Sequence, residues 1–382
     1  MANVLTNLAA DIYKAADVVG RELVGFIPSV TINGDATTRA AKGDTIRSFA
    51  TRAVTVNSSF APSMTIPEGT DQTVDTKTMT VNNYASVQIP WTGEDMKHVN
   101  NGNGFETVYG DQIKQAIRAI CNSVEIAVWT AAYQGASRAT GTAGTTPFAS
   151  NHDTLADLRK ILADNGCPID GQITLAMNTS AGAAMRKLAI LQKANESGST
   201  ELLRQGTLLD LQGIMVKESA APVAVTKGTG ASYVTSGSTA PGVTDIALVT
   251  GSGTVLAGDI VTFAADTVNK YVVGTGVAAP GTISLNAPGA QVTIATANAL
   301  TIGGNYTPNV AFHRSAIELG IRAPAMPIGG DAAVDSMTVQ DPWSGLVFEV
   351  AAYRGYLKSM FEVRCVYGAK VWKPNHVAVL AG

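Results

Sequence analysis

The residues that could do chemistry are few and widely spread. Four histidines (His98, His152, His313 and His376) and three cysteines (Cys121, Cys167 and Cys365) are the side chains best suited to ligating a metal or attacking a carbon centre. No histidine lies three to five residues from another histidine or from a cysteine, so local spacing builds no zinc site. The cysteines are odd in number and far apart, and they read as reduced thiols, Cys121 and Cys365 in apolar periodic segments and Cys167 in the turn NGCPID. His152 beside Asp153 has the composition of an acid–base pair, but adjacent side chains rarely face one another, and a loop or capping role is expected. His313 next to Arg314 reads as a strand end packed in the core or as a contact with a neighbouring subunit, with a functional pair as the alternative. Asp331 and Asp335 sit in a Gly/Ala loop and are expected to be solvated. The glycine-rich stretches GTGASY and GSGTVL lack the third glycine of a dinucleotide motif, no Gly-Lys-Ser or Gly-Lys-Thr occurs, and turn chemistry accounts for them better. Neither a GxSxG nor an HExxH pattern is present. The expectation is no catalytic residue, no cofactor-binding residue, no metal ligand and no cofactor.

Periodicity describes the elements around these residues. Leu5, Leu8, Ile12, Ala16, Val19, Leu23 and Phe26 recur at three and four, which predicts an amphipathic helix ended by Pro28, either a partner-binding arm or a plain packed helix. Residues 46–92 are rich in Thr, Val and aromatics and are divided by PEGTD at 67–71, which predicts a long β-hairpin that must lie on something else, or strands that join a larger sheet. From Asn103 to Ala136 the stripe Ile113, Ile117, Ile120, Val124 and Val128, with Lys114, Arg118 and Glu125 off it, predicts a helix roughly 45 Å long. RATGTAGTTPFAS (138–150) reads as a flexible loop.

An α/β portion follows: a helix over HDTLADLRKILADNG with Thr154 as cap, a strand QITLAMN, a helix SAGAAMRKLAILQKA and a strand in LQGIMVKESAAP. Between 227 and 304 the charged residues are only Lys227, Asp245, Asp259, Asp266 and Lys270. Short alternating runs there are separated by Pro-Gly at 241, 280 and 288, the pattern of a small barrel or sandwich set into the α/β portion. The α/β portion resumes with TPNVAFHRSAIELGIRAP, and the last residues read as a meander of three strands packed across the long helix.

The chain has 382 residues, 46% hydrophobic and 15% charged, low charge for a protein that keeps its whole surface in water, so part of that surface is expected to be covered. The net charge of -3 argues against capture of nucleic acid by a strong positive field. No apolar run reaches the roughly 18 residues of a spanning helix, and the first residues lack a basic-then-apolar signal layout, so a cytosolic protein without membrane contact is expected.

The order of these parts, with SVQIPWTGEDMKHV (86–99), ELLRQGTLLDLQGIMVKES (201–219), AFHRSAIELGIRAP (311–324) and AGDIVTF in the inserted region, resembles the major capsid protein of tailed bacteriophages, in the short-tailed-phage coat branch that carries an inserted β-domain. The resemblance covers nearly the whole chain. It implies an α+β protein of the tailed-phage/herpesvirus-type capsid fold: an N-terminal arm (1–45), an extended β-hairpin loop (46–95), a spine helix and peripheral domain (96–150), an axial domain in two parts (151–221 and 305–330), a β-rich insertion domain (222–304) and a peripheral β-meander (331–382). It further implies a shell-building subunit without an active site. Its partners would be copies of itself in hexamers and pentamers, a scaffolding protein, a portal protein and packaged double-stranded DNA in weak non-specific contact. The implied location is the virion capsid, assembled in the host bacterial cytoplasm. The alternatives are another phage component, such as a decoration or tail-tube protein, or an α/β enzyme with a β insert.

Overall fold

The stripe Ile113, Ile117, Ile120, Val124 and Val128 is the centre of the molecule: each of these side chains is no more than 1% exposed. Burial on that scale contributes about 1.5–3 kcal/mol per side chain. The computed structural model of the chain describes residues 24–51, 62–66, 74–100, 105–193, 208, 210–340 and 345–382.

In chain order the elements are a 3-10 turn (Ile27–Ser29), β1 (Thr31–Ala40), β2 (Thr45–Thr51), β3 (Val74–Thr80), β4 (Asn83–Thr92), α1 (Gly93–Asn100), α2 (Phe105–Gln134), β5 (Arg138–Gly141), α3 (Asp153–Asp164), β6 (Ile173–Met177), α4 (Thr179–Arg186), α5 (Ala189–Gln192) and β7 (Met215–Glu218). The chain continues with β8 (Val234–Thr235), β9 (Asp245–Val249), β10 (Ile260–Phe263), β11 (Asp266–Thr275), β12 (Gly281–Leu285), β13 (Leu300–Ile302), β14 (Pro308–His313), β15 (Ile317–Pro324), β16 (Ala333–Gln340), β17 (Val347–Gly355), β18 (Lys358–Val371) and β19 (Val377–Ala381). This is an α+β protein. One sheet has the order β1-β15-β18-β17-β16, with β4 also on β18; a second runs β7-β6-β14-β19-β5-β11-β12-β9-β8, with β10 and β13 attached through β11; β2 and β3 form a ribbon of their own. The apolar stripe of α2 packs in one core with residues of both sheets, among them Ile89, Phe312, Val363 and Val379.

Several elements differ from the sequence expectation, each for a physical reason. Residues 31–40, expected within an N-terminal arm, are strand β1, paired in parallel with β15. The segment TINGDATTRA shows little apolar alternation because polar contacts hold it: Asn33 Nδ2 donates to Glu318 (2.8 Å), and Arg322 donates to the Asn33 side chain (2.8 Å). The expected helix before Pro28 lies outside the described residues for all but its last positions, where Phe26 stacks on Phe312 with ring centroids 5.8 Å apart.

The second arm of the expected hairpin is two strands in two sheets. β3 pairs with β2 from Thr45↔Thr80 to Thr51↔Val74, whereas β4 pairs with β18. At the change of partner Val81 is buried, its N–H donating to Asp44 O and its carbonyl accepting from Gly43 N. A strand that switches sheets carries no mark in its β-propensity. The PEGTD turn lies outside the described residues.

The closing strands are a meander only in part: β16, β17 and β18 pair in succession, but the last strand leaves them. The 3-10 turn Pro374–His376 carries the chain across to the other sheet, where β19 lies between β14 and β5. VAVLA is buried at all five positions, the signature of a central strand covered on both faces. Its parallel neighbour β5 falls in the stretch read as a flexible loop; tertiary pairing overrides the Gly/Thr composition. The helix expected over 180–194 breaks at Leu188, whose ψ of 118° is extended. Thr154 caps nothing: His152 occupies the N-cap position of α3, and the Thr154 hydroxyl is buried without a partner.

The region 227–304 has a core of its own, built on Tyr233, Leu248, Val261, Phe263, Tyr271 and Ile283. Its two ends meet in a bridge, Val225 N–H to Tyr306 O (2.8 Å) and back (3.3 Å). It is also welded to the rest. β11 pairs with β5, Ile260 and Val272 belong to the central core, and Asn286 Nδ2 donates to Gln134 O and Ala136 O (2.7 Å each) just where α2 ends. Two of its few charges are structural. Asp259, buried, accepts from Gly228 N–H and Leu256 N–H, and Asp266 accepts from the Tyr271 hydroxyl and from Asn269.

Candidate functional site

Main-chain and polar contacts, more than reactive groups, organise this molecule, as the fate of each sequence candidate shows. His152 and Asp153 do not form an acid–base pair; the Asp153 carboxylate accepts from Asn151 Nδ2 (2.7 Å). His313 and Arg314 part company: Arg314 is exposed, while His313 is buried with Nε2 3.1 Å from Asp170 Oδ1 and Nδ1 2.8 Å from Ser315 Oγ.

That Ser315–His313–Asp170 order has the composition of a nucleophile, a base and an orienting carboxylate. Its geometry is that of a cap. Nδ1 also accepts the main-chain N–H of Ser315 (3.2 Å), closing the 3-10 turn Arg314–Ala316 that carries the chain from β14 in one sheet to β15 in the other. The Arg314 amide is spent on Gln172 O. Neither amide is free to receive a developing oxyanion, the feature that acyl transfer needs most.

The three cysteines are buried and form no disulfide with one another. Burial pushes the Cys167 thiol up to about 11 and the Cys365 thiol up to about 12, so neither is a ready thiolate. Among the described residues no group of three His, Cys, Asp or Glu side chains could hold a metal ion, and no helix is long and apolar enough to cross a membrane. A cleft of about 230 Å³ is lined by Thr146, Asn178, Ser180, Tyr306 and Thr307. Two of its groups are already engaged: Asn178 Oδ1 caps α4 through Ala181 N–H (2.8 Å), and the Tyr306 hydroxyl donates to Gly258 O (2.5 Å).

Asp331 is not simply solvated. The Tyr353 hydroxyl donates to it (2.6 Å), as does Arg364 (3.2 Å), and these bonds hold its carboxyl below the usual range. Arg364 also donates to Glu349 (2.9 Å), which is fully buried and accepts from Arg39 of β1 (2.5 Å). Burial opposes the Arg364 charge, yet Glu349, Tyr353 and Asp331 together keep its guanidinium more firmly protonated than usual. Asp335 lies in β16 opposite Ala352.

Glu125 is the largest departure from expectation. It is 2% exposed rather than on an outer helix face. Its Oε1 accepts from Gly25 N–H (2.7 Å), Phe26 N–H (2.8 Å) and Ser219 Oγ (2.7 Å), and its Oε2 from Ile27 N–H (2.9 Å). Burial raises the Glu125 carboxyl above its ordinary range, against the pull of these donors. A signal was present: Glu125 is the only charged residue between Arg118 and Arg138. Main-chain donors have no sequence signature, so its partners could not be named.

The outward features are apolar. Met64 and Ile66, in the described segment between the ribbon strands, are 105% and 87% exposed. At the β17–β18 turn Tyr356 and Leu357 are 94% and 74% exposed, and Leu357 takes a φ of 52°, a region that bulky side chains seldom adopt.

No family model and no curated protein matches the chain. Among solved structures it is similar to phage capsid chains and others, at low identity. A chain of the capsid of the cyanophage P-SCSP1u is 11% identical, covering 92% of this chain and 86% of that one, with a TM-score of 0.48. A chain from Mycobacterium phage Che8 is 14% identical over 89% of this chain and 85% of that one (TM-score 0.46), and a chain of the bacteriophage PhiM1 mature capsid is 10% identical over 93% and 86% (TM-score 0.44).

Proposed function

We propose that the chain is a capsid subunit: a protein that associates with copies of itself into a closed shell and carries no catalytic centre. The observation that supports this best is the β2–β3 ribbon, a two-stranded sheet outside both main sheets whose described connecting residues, 62–66, include the exposed apolar Met64 and Ile66. A two-stranded ribbon is marginal alone in water, so an extended one with apolar residues on show needs a surface to lie on. A shell supplies that surface on the next copy, in a repeating head-to-tail contact that closes by symmetry.

In the finer reading the shell is icosahedral and encloses the double-stranded DNA of a tailed phage, with assembly guided by a scaffolding protein and a portal at one vertex. The slightly acidic chain suits a container that does not adhere to its contents. In that reading α2 is the spine, the sheet carrying β16–β18 the peripheral part, the sheet around β6 and β14 the axial part, and 222–304 the insertion.

Purified protein is expected to form large closed or irregular particles by sedimentation and electron microscopy. Replacing residues 60–75 with a short Gly-Ser turn should abolish them while leaving a cooperatively melting monomer. A wild-type chain that stays monomeric at every concentration, with scaffold present, overturns the reading.

A further inference from the structure

Glu125 joins three segments that are far apart in the chain: the turn at 25–27, the middle of α2, and Ser219, which leads from β7 towards the inserted β region. We propose that Glu125 couples the lead-in of the inserted region to the root of the N-terminal segment, so that loosening either one loosens the other. This inference does not depend on the capsid reading.

The geometry carries it. Three successive main-chain N–H groups converge on one carboxylate, forming an anion-binding concavity whose anion is a side chain of α2. The turn they belong to has its own internal bond, Ser29 Oγ to Gly25 O (2.7 Å), and seats Phe26 and Val30 fully in the central core. On the far side Ser219 does two jobs with one hydroxyl: it donates to Glu125 Oε1 and accepts from Ala221 N–H (3.1 Å), while its own N–H is fixed on Met177 O (2.8 Å) at the end of β6. Oε1 therefore shares its lone pairs among the Ser219 hydroxyl and the amides of Gly25 and Phe26. If the hydroxyl is lost, the carboxylate keeps its main-chain donors but loses the contact that fixes its rotation. If the turn is lost, the same carboxylate is left desolvated with one neutral donor, which costs more than the bonds themselves are worth. Groups in one buried hydrogen-bond network couple in this way, whereas groups in separate networks add independently. The reciprocity of such a coupling is thermodynamic, so it can be read from both ends.

Hydrogen exchange on the full-length protein tests it. Ser219→Ala keeps the Cβ that lies near Gly25 and removes only the hydroxyl that bonds Glu125 and Ala221, and it is expected to speed amide exchange in residues 24–30 by about threefold to tenfold. Ser29→Ala, which removes only the hydroxyl bond to Gly25 O, is expected to speed exchange at Ala221. Glu125→Gln should speed both. Peptides from β17 and β18 serve as controls and should stay at wild-type rates. If each serine variant loosens only its own segment, Glu125 is a local anchor and the coupling is refuted, whether or not Glu125→Gln folds. Unchanged exchange in 24–30 for both Ser219→Ala and Glu125→Gln refutes it as well.

Discussion

The β2–β3 ribbon and the β region 227–304 both extend beyond the helix and the strands that pack on it, but they are attached in opposite ways. Among its described residues the ribbon has little core of its own. At its base Met79 is buried, Val81 sits in a small cluster with Ala40 and Val366, and Lys77 and Lys370 lie over the Trp372 ring at 5.7 and 4.9 Å. Such exposed cation–π contacts contribute about 0.5–1 kcal/mol each. The inserted region has a complete core, a strand paired to β5, and a side-chain amide on the last carbonyls of α2. The difference separates two roles. An element that stabilises its own subunit is fastened by backbone pairing and shared core, whereas one free to serve a neighbour is fastened only at its base.

Deleting 227–304 and joining Val225 to Tyr306 by a short linker is the hardest test of that contrast. The ends are already bridged, so the linker itself is unstrained. The loss is elsewhere: β5 loses β11, the central core loses Ile260 and Val272, and the Gln134 and Ala136 carbonyls lose their donor. Against a typical total stability of about 5–15 kcal/mol, the expected outcome is a chain that no longer melts cooperatively by circular dichroism. A variant that melts sharply near the wild-type temperature would make the region a detachable module.

A smaller effect is expected within the region. A Cβ on Gly228 would come within 2.3 Å of Thr254 O and 2.6 Å of the Asp259 carboxylate, the group that receives the Gly228 amide. Gly228→Ala should cost about 1–3 kcal/mol, seen as a lower urea midpoint with an unchanged slope. An unchanged midpoint would show that this junction yields and that the weld lies only at β5 and α2.

How much of this could be read in advance follows from what each element uses to hold itself. The stripe from Ile113 to Val128 was legible because burial writes a 3.6-residue period into side-chain type, and the Pro-Gly turns of 227–304 because special backbone angles call for special residues. β1 was not, since Asn33, Glu318 and Arg322 hold it through polar contacts with no period. The moves of β4 and β19 into new sheets were not, because pairing partners are chosen by tertiary contact. The Arg364–Glu349–Asp331 group and the Glu125 site share that character: each joins side chains to groups tens or hundreds of residues away.

The attachment at α2 gives a third, finer measure. Asn286→Ala removes two bonds of 2.7 Å to carbonyls at the C-terminal end of the helix. A loss of about 1–2 kcal/mol is expected in chemical denaturation, because these acceptors are left without that donor. A loss within error would mean that water replaces the amide and that β5–β11 pairing alone fastens the region.

The smallest expected effect on folding is also the one that separates the two attachments most sharply. Met64→Ser with Ile66→Ser alters side chains that are fully or almost fully exposed, so the subunit gains nothing from burying them and its stability should move by no more than about 0.5 kcal/mol. If the ribbon serves a neighbour, the same two residues become buried only on association, each then contributing about 1.5–3 kcal/mol to that contact. Repeated at every contact of a large particle, such a loss should appear as a marked rise in the protein concentration at which light scattering first detects assembly. A double variant that assembles at the wild-type concentration would leave these exposed residues without a partner surface and would place the intersubunit contact elsewhere, with the Tyr356–Leu357 turn as the next surface to change.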